Sequence, residues 1–142
     1  MPSNISVSVR QLDGTALAGT ARAHEVAIDR PVAKGGTDSG PMGGELLLLA
    51  LGGCFMSTLV ATAAVDGYPL VPGAVRCEVT GTLIDAPTRF SEIVVSVAAP
   101  AGSREVLSKS LAKAERGCIV HNTLRHVLPV RFEYQWHTSV PV

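Results

Sequence analysis

The sequence predicts an α+β fold, a mostly antiparallel sheet with a few helices packed against it. Three observations carry that expectation. Several segments alternate apolar and polar residues at the period of a half-buried strand. Few segments read as helices, too few for a doubly wound parallel sheet. The 142 residues are enough for one domain with a core and too few for two, so a single domain is expected over residues 1–142.

Ile5, Val7 and Val9 alternate with polar neighbours and open the first strand. Asp13-Gly14 turns the chain into a second extended run from Leu17 to about Ile28. Pro31 and then Lys34-Gly35-Gly36-Thr37-Asp38-Ser39-Gly40-Pro41 form a loop dense in turn formers. A long helix starts near Gly43 or Glu45, with Glu45 well placed against the helix dipole, and ends at Asp66-Gly67 before Tyr68-Pro69. Strands follow at about Val75 to Ile84 and Ile93 to Ala99, joined through Pro87. Ser103 is placed to cap a second helix, whose stripe is Val106, Leu107, Leu111 and Ala114 and whose end is Gly117. A short helical turn from Cys118 to about Val127 precedes the last strand, Val130-Phe132-Tyr134-Trp136.

No residue from Leu46 to Val65 is charged, and that length would just cross a bilayer. The flanks, Glu45 and Asp66, are acidic, the segment stands alone, and Gly52-Gly53-Cys54 and Ser57-Thr58 interrupt it. The expectation is therefore a helix buried on all sides, not a membrane span.

Lys and Arg balance Asp and Glu at 12 each, and the basic residues are scattered. Neither nucleic acid nor an anionic membrane surface is an expected partner. Three cysteines do not suit a disulfide-stapled secreted scaffold. The first residues show no basic region followed by an apolar one, so the expected compartment is the cytoplasm. With 46% hydrophobic residues, the composition also fits a buried interface with a partner.

The cysteines are the chemical candidates. Cys54 follows two glycines inside the long helix, where glycine costs about 1 kcal/mol relative to Ala. Something is expected to approach the backbone closely there; an inert core thiol is the alternative. Cys118 follows Gly117 and opens a helical turn, a setting in which backbone N–H groups lower a thiol pKa. His121, three residues on, is placed to hydrogen-bond to the thiolate or pair with it. A plain helix end with a buried thiol is the competing reading. Cys77 shares a strand face with Val75 and Val79 and reads as core filling.

Gly43-Gly44-Glu45-Leu46-Leu47-Leu48-Leu49-Ala50-Leu51-Gly52-Gly53-Cys54 resembles the first signature of the OsmC/Ohr family of organic hydroperoxide reductases. Gly117-Cys118-Ile119-Val120-His121-Asn122-Thr123-Leu124 resembles its second, a cysteine followed by a short run ending Asn-Thr-Leu. The cysteines are 64 residues apart, as the family layout leads one to expect, and the resemblance covers nearly the whole chain. It implies an OsmC-like fold around the long buried helix and an intertwined homodimer. It also implies a thiol-dependent peroxidase of the stress response, with Cys54 the peroxidatic thiol and Cys118 the resolving one. The implied substrate is an organic hydroperoxide and the implied reductant an external dithiol, with no cofactor and no metal.

The pattern departs from the family at both members of a Glu–Arg pair, since no Arg aligns cleanly either. Studied hydroperoxidases carry a Glu ten residues before the first cysteine, paired with an Arg from the N-terminal strands. Here that position is Gly44, and the acid is Glu45, nine residues before Cys54 and about 13 Å away along a helix. Arg22 is the best candidate for the cation, with Arg30 and Lys34 weaker ones. Two other readings remain at this stage. One is a metal site from Cys54, Cys118 and His121, which lacks a fourth ligand. The other is a binding protein for an apolar acid or lipid-like ligand, with idle or sensory cysteines.

Overall fold

The computed structural model describes residues 1–138. Contacts divide the chain into two compact units, Met1–Leu47 and Leu48–Val142.

The first unit is an antiparallel meander of β1 (Ser8–Asp13), β2 (Ala16–Ala21) and β3 (His24–Ile28). Gly14, at φ 56°, makes the first turn in the left-handed region that glycine tolerates. The sequence reading ran one extended segment from Leu17 to Ile28. The chain instead reverses at Arg22-Ala23, with Arg22 itself at φ 56°. No Gly, Pro, Asn or Asp marks that turn, which is why sequence alone missed it.

After β3 the glycine-rich loop is organised by Asp29, which is buried. Its carboxylate accepts from the Thr15 hydroxyl, the Arg30 N–H, and both the N–H and hydroxyl of Thr37 and of Ser39. These donors, Thr15 and Thr37 foremost, hold its pKa far below the usual carboxylate range. A Cβ at Gly36 would lie 2.0 Å from the Arg30 carbonyl oxygen, so the loop closes only with glycine there.

The second unit holds a three-stranded sheet in the order β4 (Arg76–Ile84), β5 (Arg89–Pro100), β6 (Val130–His137). β4 and β5 pair antiparallel, whereas β5 and β6 pair parallel. A parallel neighbour needs a long crossover. Helices α2 (Arg104–Gly117) and α3 (Ile119–Leu124) supply it. The antiparallel α+β expectation holds, with this one parallel pairing added.

The core sits against the central strand. Ile93, Val95, Val97 and Ala99 alternate along β5, and all four are buried. They meet Leu51, Phe55, Leu59 and Ala63 of the long helix α1 (Gly43–Val65) and Leu107, Leu111 and Ala114 of α2. α1 ends as its sequence suggests. Gly67 lies at φ 86°, and the Tyr68 N–H reaches back to the Ala63 carbonyl, closing the last turn.

α1 lies on the core as expected, but burial on all its sides is not achieved within one chain. Its buried residues recur every fourth position as a single stripe, while Leu49, Val60 and Val65 are 62%, 50% and 85% exposed. It is long and apolar enough to cross a membrane, a test that the core helix of a soluble protein also passes. In α2 the stripe shifts slightly from the expected one. Val106 is exposed, and Ser110, donating to Asp66, takes a place in the core face. Ser103 precedes α2 but makes no side-chain cap; its hydroxyl donates to the Pro100 carbonyl.

Candidate thiol site

Two close approaches bring the site together. Gly52 of α1 packs on β4, where an added Cβ would meet Val79 Cγ2 at 2.9 Å and Cys77 Sγ at 3.4 Å. The expected close approach is thus at Gly52; among the described residues, nothing beyond Gly53's own helix backbone lies within 4 Å of its Cβ position. At the other end of the site, a Cβ on Gly117 would meet Thr58 Cγ2 at 3.2 Å. Gly117 is the last residue of α2, and its smallness lets the helix end meet α1 one turn beyond Cys54. It does not act as a left-handed cap, because the C-cap is Cys118, extended at φ −80°, ψ 111°.

That geometry puts Cys118 against Cys54. The Cys54 side chain lies close enough to act on the Cys118 thiol. Cys118 is fully buried and Cys54 half-buried, and both are free thiols. Cys118 also caps α3, with its Sγ accepting the His121 backbone N–H at 3.4 Å. Asn122 closes the preceding helix, donating from its side-chain amide to the Arg116 carbonyl at 2.8 Å. The Asn of the second motif therefore ties α2 to α3 and holds the cysteine at their junction.

Burial pushes the Cys118 thiol up, and the neighbouring Cys54 side chain pushes it further. The His121 and Val120 backbone N–H groups act the other way and do not prevail. The helix-terminal lowering expected from sequence is present as a contribution, but desolvation outweighs it. His121 also differs from expectation. Its backbone, not its imidazole, reaches Cys118. The ring stands edge-on to Phe132 with centroids 4.9 Å apart, and its Nδ1 is buried without a partner among the described residues. Burial, and then Arg125, lower its pKa, so a thiolate–imidazolium pair is not what this ring provides.

Cys77 is half-buried on β4 with Sγ 3.9 Å from the Gly52 carbonyl oxygen, and burial raises its pKa. It fills the α1–β4 contact, as expected. Glu45 accepts the Met42 N–H at 2.9 Å and serves the first turn of α1. Arg22 is exposed in the β2–β3 turn of the first unit, and Arg30 and Lys34 lie in that unit's loop. Among the described residues, no group of three His, Cys, Asp or Glu side chains gathers to hold a metal. Thr58 and Asn122 are the positioning residues that sequence reasoning passed over; only the Asn-Thr-Leu run hinted at the second.

The sequence matches the profile described as OsmC-like protein over residues 36–133, more than half of the chain and both cysteine motifs. The chain belongs to the OsmC-like family. No curated protein matches it by sequence. Solved structures share the fold at low identity. An OsmC-like protein from Mycoplasma pneumoniae is 18% identical with a TM-score of 0.81, over 96% of this chain and 100% of that one. The organic hydroperoxide resistance protein OhrB of Bacillus subtilis is 18% identical with a TM-score of 0.66, over 94% and 98%. An organic hydroperoxide resistance protein from Elizabethkingia anophelis is 17% identical with a TM-score of 0.69, over 96% and 100%. This OsmC-like chain thus has the α+β fold of proteins named for hydroperoxide resistance.

Proposed function

We propose that this OsmC-like protein reduces organic hydroperoxides to alcohols with Cys54 and Cys118. The approach of Cys118 to Cys54, with Gly117 packed on Thr58 one turn beyond Cys54, is the observation that carries the reading. The Cys54 thiolate attacks the O–O bond, giving the alcohol after protonation and leaving a sulfenic acid on Cys54. The Cys118 thiol then attacks that sulfur; a disulfide forms and water leaves. An external dithiol returns both thiols by exchange. Cys54 is the attacking member because it is half-exposed, whereas Cys118 is fully buried and within reach of it.

A homodimer completes the reading. The open side of α1, with Leu49 and Val60, is the surface a second copy would cover, and Arg22 is the cation proposed to serve the thiolate. A cytoplasmic stress-response role fits free thiols kept reduced. A binding protein with idle cysteines is the second reading, favoured by Gly44 at the family's Glu position and by the raised pKa of Cys118.

Steady-state consumption of an organic hydroperoxide with a dithiol reductant separates the two. Cys54→Ser is expected to abolish turnover, and Cys118→Ser to allow at most one turnover with a sulfenic acid trapped on Cys54. Equal consumption by wild type and both variants would sink the thiol mechanism.

A further inference from the structure

Gly117 is the last residue of α2, and its φ is not positive, so its backbone does not call for glycine. Alanine is the better helix former at such a position. What glycine provides there is room. Beyond its chain neighbours and its own helix backbone, a Cβ at Gly117 would have one described atom within 4 Å, Thr58 Cγ2 at 3.2 Å.

Thr58 makes one contact to each half of the thiol pair. Its hydroxyl donates to the Cys54 carbonyl at 2.9 Å, one turn back on α1. That bond fixes rotation about Cα–Cβ, and the branched carbon then holds the methyl towards Gly117, the residue joined to Cys118. Cys118 is restrained on its other side, where its Sγ caps α3 by accepting the His121 N–H. At the residue before Cys118, the α2–α3 junction therefore meets α1 through one methyl group.

We infer that Thr58 is a positioning residue for a Cys54–Cys118 disulfide. Its methyl, seated in the space that Gly117 leaves, sets how far Cys118 stands from Cys54. This rests on the proposed pairing of the two cysteines, but not on peroxide as the oxidant. The contact has room for one methyl. A second, added at Gly117, pushes the junction off by a few tenths of an ångström, and removing the first leaves the junction without its stop. Either change lowers the share of time in which the two sulfurs meet in bonding geometry.

Equilibrium in glutathione redox buffers reads that geometry without peroxide. Closing the pair oxidises both thiols to one disulfide and reduces one glutathione disulfide to two glutathione thiols. The midpoint gives the effective concentration of Cys118 at Cys54, and peptide mapping after acid quench keeps Cys77 apart. Gly117→Ala should lower that concentration about tenfold, and Thr58→Ser, which keeps the hydroxyl and deletes the methyl, about threefold. The double variant moves the methyl from one helix to the other and should return to within about twofold of wild type, whereas independent structural losses would add. Thr58→Ser introduces no new atom, so it reads the contact even if Gly117→Ala fails to fold. A wild-type value in either single variant, a double variant no closer to wild type than Gly117→Ala, or no Cys54–Cys118 disulfide in wild type at any buffer ratio would each overturn the inference. A pair that follows this pattern in glutathione yet stays reduced with peroxide would uphold it and remove the proposed function instead.

Discussion

Helices α1 and α2 join the same core yet use their apolar residues in opposite ways. α2 is apolar on one side and buries that side, with Leu107, Leu111 and Ala114 at helical spacing. α1 is apolar all round and buries one stripe, leaving Leu49, Val60 and Val65 open. The buried face of α2 is therefore legible from periodicity, while that of α1 is set by what presses on it. The open face of α1 is the one that the proposed second copy would cover.

The largest test of that contrast compares the two sides of α1. Leu59→Ala and Phe55→Ala each remove a fully buried side chain and should lower unfolding free energy by about 3–5 kcal/mol. Leu49→Ala and Val60→Ala should change it by about 0.5 kcal/mol at constant association and instead weaken self-association, read by sedimentation. Matching losses on both sides with self-association intact would break the comparison.

A smaller effect separates the adjacent glycines. Gly52→Ala drives a methyl into Val79 and should cost about 1–3 kcal/mol in chemical denaturation. Gly53→Ala meets nothing beyond its own helix backbone among the described residues and should gain up to about 1 kcal/mol of helix propensity, any loss appearing as weaker self-association.

The smallest effect concerns the join between the helices. Asp66, at the end of α1, accepts from Lys113 at 2.6 Å and from Ser110 at 2.7 Å, both on α2. Lys113 first and Ser110 second hold its pKa below the ordinary range. A folded-state pKa lowered in this way adds stability above the unfolded value, about 3.9. That stability is lost as pH falls through the folded value. Asp66→Asn should therefore be less stable than wild type at neutral pH, and the gap should close in acid. A gap independent of pH would assign the effect to the hydrogen bonds alone.

Much of the fold could be read directly. The alternation of β5 and β6, the stripe of α2 and the stop at Gly67 follow from local pattern, and the structure keeps them. What escaped was set by tertiary contact. The Arg22 turn has no turn-forming residue, and the parallel β5–β6 pairing depends on where the α2–α3 crossover returns the chain. At the site, the motifs named both cysteines, but a separation of 64 positions says nothing of contact. Gly117 against Thr58 and Asn122 across the helix junction put them together. Of the two readings of Cys118, the buried thiol prevails over the lowered pKa, because a helix terminus is local and visible in sequence, whereas desolvation by the core is neither.

The central claim is that Cys54 and Cys118 are a redox pair. It is tested most directly by adding one equivalent of an organic hydroperoxide to fully reduced protein and mapping peptides by mass spectrometry. A Cys54–Cys118 disulfide that forms rapidly and is absent from the untreated control is the predicted result. Both thiols remaining reduced would contradict the account and leave the binding reading in its place.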